Sequence, residues 1–113
     1  MTSPVPGSPV RGSASGRPIM ALLDLLGRRW SLRVLWELHQ APASFRELQA
    51  RCEGVSPSVL NTRLGELRES LLLENGGQGY QLSALGRELV VQCLPLAAWA
   101  EDWADRLTSR PEK

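Results

Sequence analysis

The junction Gly54 to Pro57 constrains the fold of this chain more than any other segment, because it joins two short stretches of helical periodicity. Ser56 is suited to cap a helix N-terminus, and Pro57 fits the first helical position, where its missing N–H costs nothing. Upstream, Ser44 and Glu47 have the spacing of a capping box, which predicts another helix start. Two short helices joined by a glycine-containing turn are the layout of a helix-turn-helix, whose second helix normally enters a DNA groove.

Periodic apolar residues predict the remaining elements. Four helices are expected: Ile19 to Gly27, Trp30 to His39, Phe45 to Arg51, and Ser56 to about Ser70. In the second helix we expect four buried side chains, namely Leu32, Leu35, Trp36 and Leu38. In the fourth helix a buried face should hold Leu60, Leu64, Leu67 and Leu71.

A hairpin and a long last helix complete the pattern. The Asn75-Gly76 pair predicts a turn over 75–79 between strands at 71–73 and 80–82. A helix follows Ser83, with Pro95 kinking or dividing it. Its apolar stripe comprises Leu85, Leu89, Cys93, Leu96, Ala100, Trp103 and Leu107. The predicted fold class is mainly α: a winged helix-turn-helix with a short β-hairpin wing and a long terminal helix, assembled as a dimer.

The chain divides into a tail and one domain. Residues 1–18 are rich in Pro, Gly and Ser and bury too little apolar surface to offset the entropy of ordering, so we predict a disordered tail followed by a domain over 19–110. The two cysteines, Cys52 and Cys93, form no CxxC motif, and neither a disulfide nor a metal site is indicated. No apolar run suggests a secretory or membrane segment. We therefore expect a cytoplasmic protein without a cofactor.

The polar face of the fourth helix supplies the candidate base contacts. Opposite the leucines lie Ser58, Thr62, Gly65 and Glu69, with Asn61 and Glu66 at the flanks. Asn pairs bidentately with adenine, Ser and Thr contact bases or phosphates, and the helix N-terminus at Ser56 favours a phosphate.

Arginines supply the candidate phosphate contacts. The densest group precedes and opens the second helix, which in this architecture crosses the DNA backbone. For Arg63 two roles remain open, phosphate anchoring or internal pairing with Glu37 or Glu47. The full set of predicted DNA-binding residues is Arg28, Arg29, Ser31, Arg33, Arg46, Ser56, Ser58, Asn61, Thr62 and Arg63.

The sequence does not indicate an enzyme, but it does indicate that the chain associates with itself. His39 is the only histidine, and the carboxylates Glu101, Asp102 and Asp105 are most simply a solvated helix face. Two tryptophans one turn apart on a terminal helix suggest a surface that packs against a second copy of the chain. The predicted dimer interface comprises Leu22, Leu96, Trp99, Trp103 and Leu107.

Four motifs resemble the HxlR-type family of bacterial winged-helix transcription regulators, over about Pro18 to Leu107. The segment 23–32, LDLLGRRWSL, looks like the family's LDxIGGKWT stretch, and FREL at 45–48 is similar to RFxEL. The segment 54–64, GVSPSVLNTRL, follows GISPxxLxxRL, and YQLSALG at 80–86 looks like YxLTxxG. This resemblance implies a homodimeric, sequence-specific DNA-binding regulator, assembled through its first and last helices on double-stranded DNA.

Other features favour two alternatives. From Ile19 onward there are 11 basic and 12 acidic side chains, the wing segment 74–79 has no Lys or Arg, and Gly65 stands where members of the family often carry a basic residue. One alternative is therefore a winged-helix module with weakened DNA binding that acts through protein contacts. The other is a regulator that binds a small apolar effector near Trp99 and Trp103. Oxidation of Cys52 is a further route to regulation, against the simpler interpretation as a buried apolar residue.

Overall fold

The computed structural model describes residues 3–10 and 12–109. Within them lie five helices and one two-stranded antiparallel sheet: α1 (Pro18–Leu26), α2 (Ser31–Gln40), α3 (Phe45–Arg51), α4 (Pro57–Glu69), β1 (Leu73–Gly76), β2 (Gly79–Leu82) and α5 (Ala84–Thr108). This is the predicted winged helix-turn-helix class. No helix in the described part is long and apolar enough to span a membrane.

Serine caps fix the starts of three helices. At α3 the Ser44 hydroxyl accepts from the Glu47 amide over 3.1 Å, and the Glu47 carboxylate accepts from the Ser44 amide over 2.9 Å, which completes the predicted capping box. The hydroxyl of Ser56 accepts from the Val59 amide at the start of α4. Ser83 caps α5 in the same way. Local sequence therefore sets these boundaries.

The core forms where α2, α3 and α4 meet the hairpin and the start of α5. Its largest fully buried side chains include Leu35, Leu48, Leu60, Leu64 and Leu67. The predicted buried face of α2 is partly wrong, because Leu32 and Trp36 are exposed while Val34 is fully buried. The buried stripe of α2 is thus rotated toward Val34.

The hairpin begins two residues later than predicted. Leu73 pairs with Leu82 and Gly76 with Gly79, so the turn is only Gly77-Gln78. Leu71 does not join the leucine face of α4: its backbone has φ 65°, and its side chain is 68% exposed. A left-handed residue at this position reverses the chain after α4 and lets Leu72 and Leu73 turn into the core.

The last helix is continuous through Pro95, so Pro95 does not divide it, and the kink predicted as the other possibility stays a prediction. Near its start, Gly86 packs directly against the Leu72 carbonyl, and an added Cβ would overlap that oxygen. Twenty-five helical residues span about 37 Å, more than the core can cover. The predicted apolar stripe is consequently buried only in part: Leu85, Leu96, Trp103 and Leu107 are exposed.

The N-terminal segment before α1 makes a few turns. The amide of Gly7 donates to the carbonyl of Gly16, and the hydroxyl of Ser3 donates to the Glu66 carbonyl and the Glu69 carboxylate. The disordered state of residues 1–18 stays a prediction. A cavity of about 590 Å³ lies between this segment, α1 and the end of α4.

Candidate nucleic-acid interface

The outer face of α4 presents small polar side chains to solvent. Ser58, Asn61, Thr62 and Gly65 are all exposed, while the leucines of the same helix lie in the core. The Thr62 hydroxyl donates to the Ser58 carbonyl over 3.0 Å, whereas the Asn61 amide stands in the middle of the exposed face. The helix therefore offers a continuous hydrogen-bonding surface that no other described element covers.

Ser56 lies at the N-terminus of this helix. Its hydroxyl is occupied with capping and lies 3.4 Å from the Ser58 hydroxyl. The amides of the first turn still carry the partial positive charge of the helix dipole. A phosphate is the natural ligand for such an end when it is solvent-exposed.

Arg28 does not lie where the sequence placed it. Its side chain is only 9% exposed, donates to the Glu66 carboxylate of α4, and lies 3.6 Å from the Asp24 carboxylate. A guanidinium that compensates two buried carboxylates is not available to a phosphate. The predicted DNA contact of Arg28 is therefore replaced by an internal role.

Ser31 is also inside the protein. It is the first residue of α2 and is fully buried, and its hydroxyl has no hydrogen-bond partner within residues 3–10 and 12–109. Its predicted contact with DNA requires exposure that the folded chain does not provide. Ser31 is accordingly a core residue.

Arg63 pairs internally, but not with the predicted glutamates. Its Nε donates to the Arg29 carbonyl over 2.7 Å, and a terminal nitrogen donates to the Glu66 carboxylate over 2.8 Å. Neither Glu37 nor Glu47 takes part. Sequence reasoning missed Glu66, although Val59, two turns earlier on the same side of α4, marks that side as partly buried.

Three other predicted cations remain on the surface. The Arg29 guanidinium lies over the Trp30 ring, 5.6 Å from its centroid. Arg46 is exposed in the first turn of α3. Arg33 donates to the Glu37 carboxylate over 2.8 Å and to the Arg51 carbonyl over 2.7 Å, and its hydrogen bond to Glu37 raises the pKa of Arg33. All three side chains are exposed, and the charge of Arg33 is paired with that of Glu37.

The wing contributes no such charge. Glu74 of β1 accepts a 2.9 Å hydrogen bond from the Gln81 side chain across the hairpin, and both lie on the strands that a basic wing would use. Residues 74–79 contain no Lys or Arg. The wing segment therefore offers no cation to a DNA phosphate.

A separate apolar surface lies on the distal half of α5. The Trp99 and Trp103 rings stack at 6.0 Å between centroids and are 59% and 51% exposed. Leu96 and Leu107 on the same half are also exposed, whereas Leu22 of α1 is half-buried and lines the cavity beside the N-terminal segment.

The cysteines differ in environment. Cys52 ends α3 and is fully buried, and desolvation raises the pKa of its thiol. Cys93 is partly exposed on α5. A buried neutral thiol is a poor nucleophile, so the geometry favours a packing role for Cys52.

These elements define a winged helix-turn-helix protein in which the polar face of α4, the second helix of the helix-turn-helix, is exposed to solvent. The family model for the HxlR-like helix-turn-helix matches residues 25–108. The chain belongs to this family. A comparison with curated proteins finds no match.

Two solved structures are similar in fold. The quinone-bound YodB of B. subtilis is 27% identical, with a TM-score of 0.70, and the match covers 74% of this chain and 96% of that chain. A "possible HxlR family transcriptional factor" of Thermoplasma volcanium GSS1 is 22% identical, with a TM-score of 0.68, and the match covers 78% and 85% of the two chains. The family and these neighbours in fold are transcription regulators.

Proposed function

We propose that this protein is a sequence-specific, DNA-binding transcription regulator that acts as a homodimer. The exposed polar face of α4 is the observation that carries this proposal, since Asn61 and its neighbours leave a row of hydrogen-bonding groups facing outward from a rigid helix. Membership of the HxlR-like helix-turn-helix family supports it. We also propose that the protein is located in the cytoplasm.

We assign the contacts by exposure. Asn61, Ser58 and Thr62 contact base edges or nearby phosphates in the major groove, while the N-terminus of α4 at Ser56 receives a phosphate. Three exposed arginines anchor further phosphates: Arg29, Arg33 and Arg46. Half or more of protein–DNA hydrogen bonds go to the sugar-phosphate backbone, so this division is the expected one.

The dimer forms through the distal half of α5 and through α1. Its proposed interface comprises Leu22, Leu96, Trp99, Trp103 and Leu107. Trp99 and Trp103 stack on each other and are about half exposed, on a part of α5 that extends past the core. Association of two copies would bury this apolar surface. In a dimer, the two recognition helices contact successive major grooves when the helices lie about 34 Å apart.

Two single substitutions test the DNA assignment by fluorescence-anisotropy titration of a duplex selected from a random library. Arg29→Ala removes a phosphate contact, so it should weaken binding to every duplex and lower the salt slope by roughly one per protomer. Asn61→Ala should reduce the preference for the selected duplex and leave the salt slope unchanged. Equal binding by both variants and the wild type would refute the assigned geometry.

The dimer is tested by sedimentation. Trp99→Ser/Trp103→Ser should shift the protein from dimer to monomer. Leu85→Ser is the matched control, since Leu85 is an exposed apolar residue near the start of the same helix. A wild-type protein that sediments as a monomer would contradict the proposed assembly.

The alternative is a module with weakened DNA binding that acts through protein or small-ligand contacts, and the absence of Lys and Arg from the wing segment 74–79 favours it. The cavity of about 590 Å³ beside α1 supports the small-ligand form of this alternative, because it is lined largely by apolar side chains, including Val5, Ala21, Leu22 and Leu25. Pockets of this size hold small organic ligands. Such a module would bind no DNA fragment much more tightly than bulk DNA at near-physiological salt.

A further inference from the structure

Four charged side chains connect α4 to α1 and to the turn that follows α1. We call them the Glu66 cluster: Asp24, Arg28, Arg63 and Glu66. Glu66 is buried, and its two carboxylate oxygens accept from different arginines. Arg28 donates to one oxygen, and Arg63 donates to the other over 2.8 Å. A single carboxylate on the recognition helix thus receives one guanidinium from the turn and one from its own helix.

A second connection runs through Arg63. Its Nε donates to the Arg29 carbonyl over 2.7 Å, so the backbone that carries Arg29 is hydrogen-bonded to α4. Arg29 is the exposed cation of this turn, and Asn61 lies two residues before Arg63 on α4. The distance between the phosphate-anchoring side chain and the base-contacting side chain therefore depends on the conformation of Arg63.

The cluster is a poor way to gain stability. Burying four charges carries a desolvation penalty, and apolar side chains of similar volume often stabilise a core as well or better. In some proteins, buried polar or ionic groups fix one packing arrangement over others. At this position the arrangement they fix is the orientation of α4 against the turn at residues 28–29.

We propose that Arg63 and Glu66 are positioning residues, which hold α4 in one orientation relative to the phosphate-anchoring turn and so determine DNA sequence selectivity without touching DNA. This inference rests on the proposed DNA-binding function. In this proposal Arg63 affects DNA selectivity through its internal contacts with the Arg29 carbonyl and Glu66, and not through a phosphate, which was one of the two roles the sequence left open for it.

Three variants of the full chain test it: Arg63→Met, Arg63→Lys, and the exposed control Arg68→Met. Glu66 keeps its partner Arg28 in all three, and thermal melts verify that each variant is folded. The duplex selected from a random library and a scrambled duplex of the same length are titrated at several salt concentrations.

We expect Arg63→Met to lower the ratio of selected to scrambled affinity by about tenfold, the size of one mismatched base pair, with the salt slope unchanged. Arg63→Lys should behave like Arg63→Met, because one ammonium group does not reproduce the fork that joins the Arg29 carbonyl to Glu66. Arg68→Met should keep the wild-type ratio. If Arg63→Lys restores the ratio, or if Arg63→Met lowers the slope by about one per protomer, Arg63 contacts phosphate and the proposal is overturned.

Amide hydrogen exchange of the free protein separates this proposal from the proposed function. The α4 amides should exchange faster in both Arg63 variants than in the wild type and in Arg68→Met, because the helix has lost one of its two attachments to the turn, the hydrogen bond from Arg63 to the Arg29 carbonyl. Unchanged exchange overturns the positioning role, whatever the DNA titrations show. A wild-type protein that prefers no duplex overturns the regulator function and the selectivity claim, while the exchange data still decide whether Arg63 holds α4.

Discussion

Gly65 is the position at which a single substitution best tests whether α4 faces DNA. It lies in the middle of the exposed face of this helix, at ordinary helical φ, and a Cβ added there would meet no atom within 4 Å. Because nothing opposes a side chain, any residue with good helix propensity is accommodated. Gly65→Lys adds one positive charge to the proposed DNA surface.

Two effects of this substitution are separable. Replacing glycine in a helix interior by alanine or lysine gains up to about 1 kcal/mol of helix propensity. A gain of about 1 kcal/mol would raise the melting temperature of a domain of this size by roughly 4 to 8 °C, and a smaller gain by proportionally less. One added phosphate contact per protomer should steepen the dependence of log K on log salt by about 0.9, or about 1.8 for a dimer.

The assay is a salt series of anisotropy titrations on one duplex, with Gly65→Ala and Gly65→Glu as matched controls. Gly65→Ala should share the stabilisation without the steeper slope. Gly65→Glu should keep part of the stabilisation and bind DNA more weakly than Gly65→Ala, since it places a like charge against the phosphates. If the lysine and glutamate variants give the same affinity and slope, the exposed face of α4 does not contact DNA, and the reasoning fails.

Three further predictions follow from local contacts. Gly86→Ala should destabilise the fold by more than about 1 kcal/mol in urea melts, because its Cβ would overlap the Leu72 carbonyl, whereas wild-type stability would disprove the close packing. Hydrogen bonds from Ser44, first of all from its backbone amide, lower the pKa of Glu47 in the folded protein. The ionised Glu47 carboxylate therefore stabilises the fold above its unfolded pKa of about 4.3, and this stabilisation is lost as the pH falls through the lower folded pKa. Below the folded pKa, the difference in melting temperature between the wild type and Glu47→Gln should vanish. A disulfide reagent should modify Cys93 in the native protein much faster than Cys52, whose thiol is buried with a raised pKa, and equal rates would show that α3 opens readily.

The sequence predicted the helix starts well because their causes are local. The capping box at Ser44 and the Ser-Pro start of α4 each involve residues within three positions of one another. Their patterns are therefore visible without knowledge of the tertiary structure. The same holds for the exposed face of α4, since the spacing of its leucines leaves Ser58 and Asn61 outside.

Tertiary contacts caused the errors. Nothing near Arg28 in sequence reveals that it meets Glu66, which is 38 positions away, and a run of arginines before a helix is equally typical of a phosphate-binding surface. Leu71 continues the leucine pattern of α4, yet the chain leaves the helix there with positive φ so that Leu72 enters the core. Trp36 was expected inside on periodicity alone, which does not define how far the buried stripe of α2 is rotated.

The central claim, that the uncovered face of α4 recognises DNA sequence, is tested most directly by selecting bound fragments from the sheared genomic DNA of the source organism. The affinity of the most enriched fragment is then compared with that of bulk DNA by anisotropy at near-physiological salt. If α4 recognises DNA sequence, one fragment should be bound at least roughly a thousandfold more tightly than bulk DNA, as specific regulators show. A folded, dimeric protein that enriches no fragment would contradict it and would favour a module that acts through protein contacts.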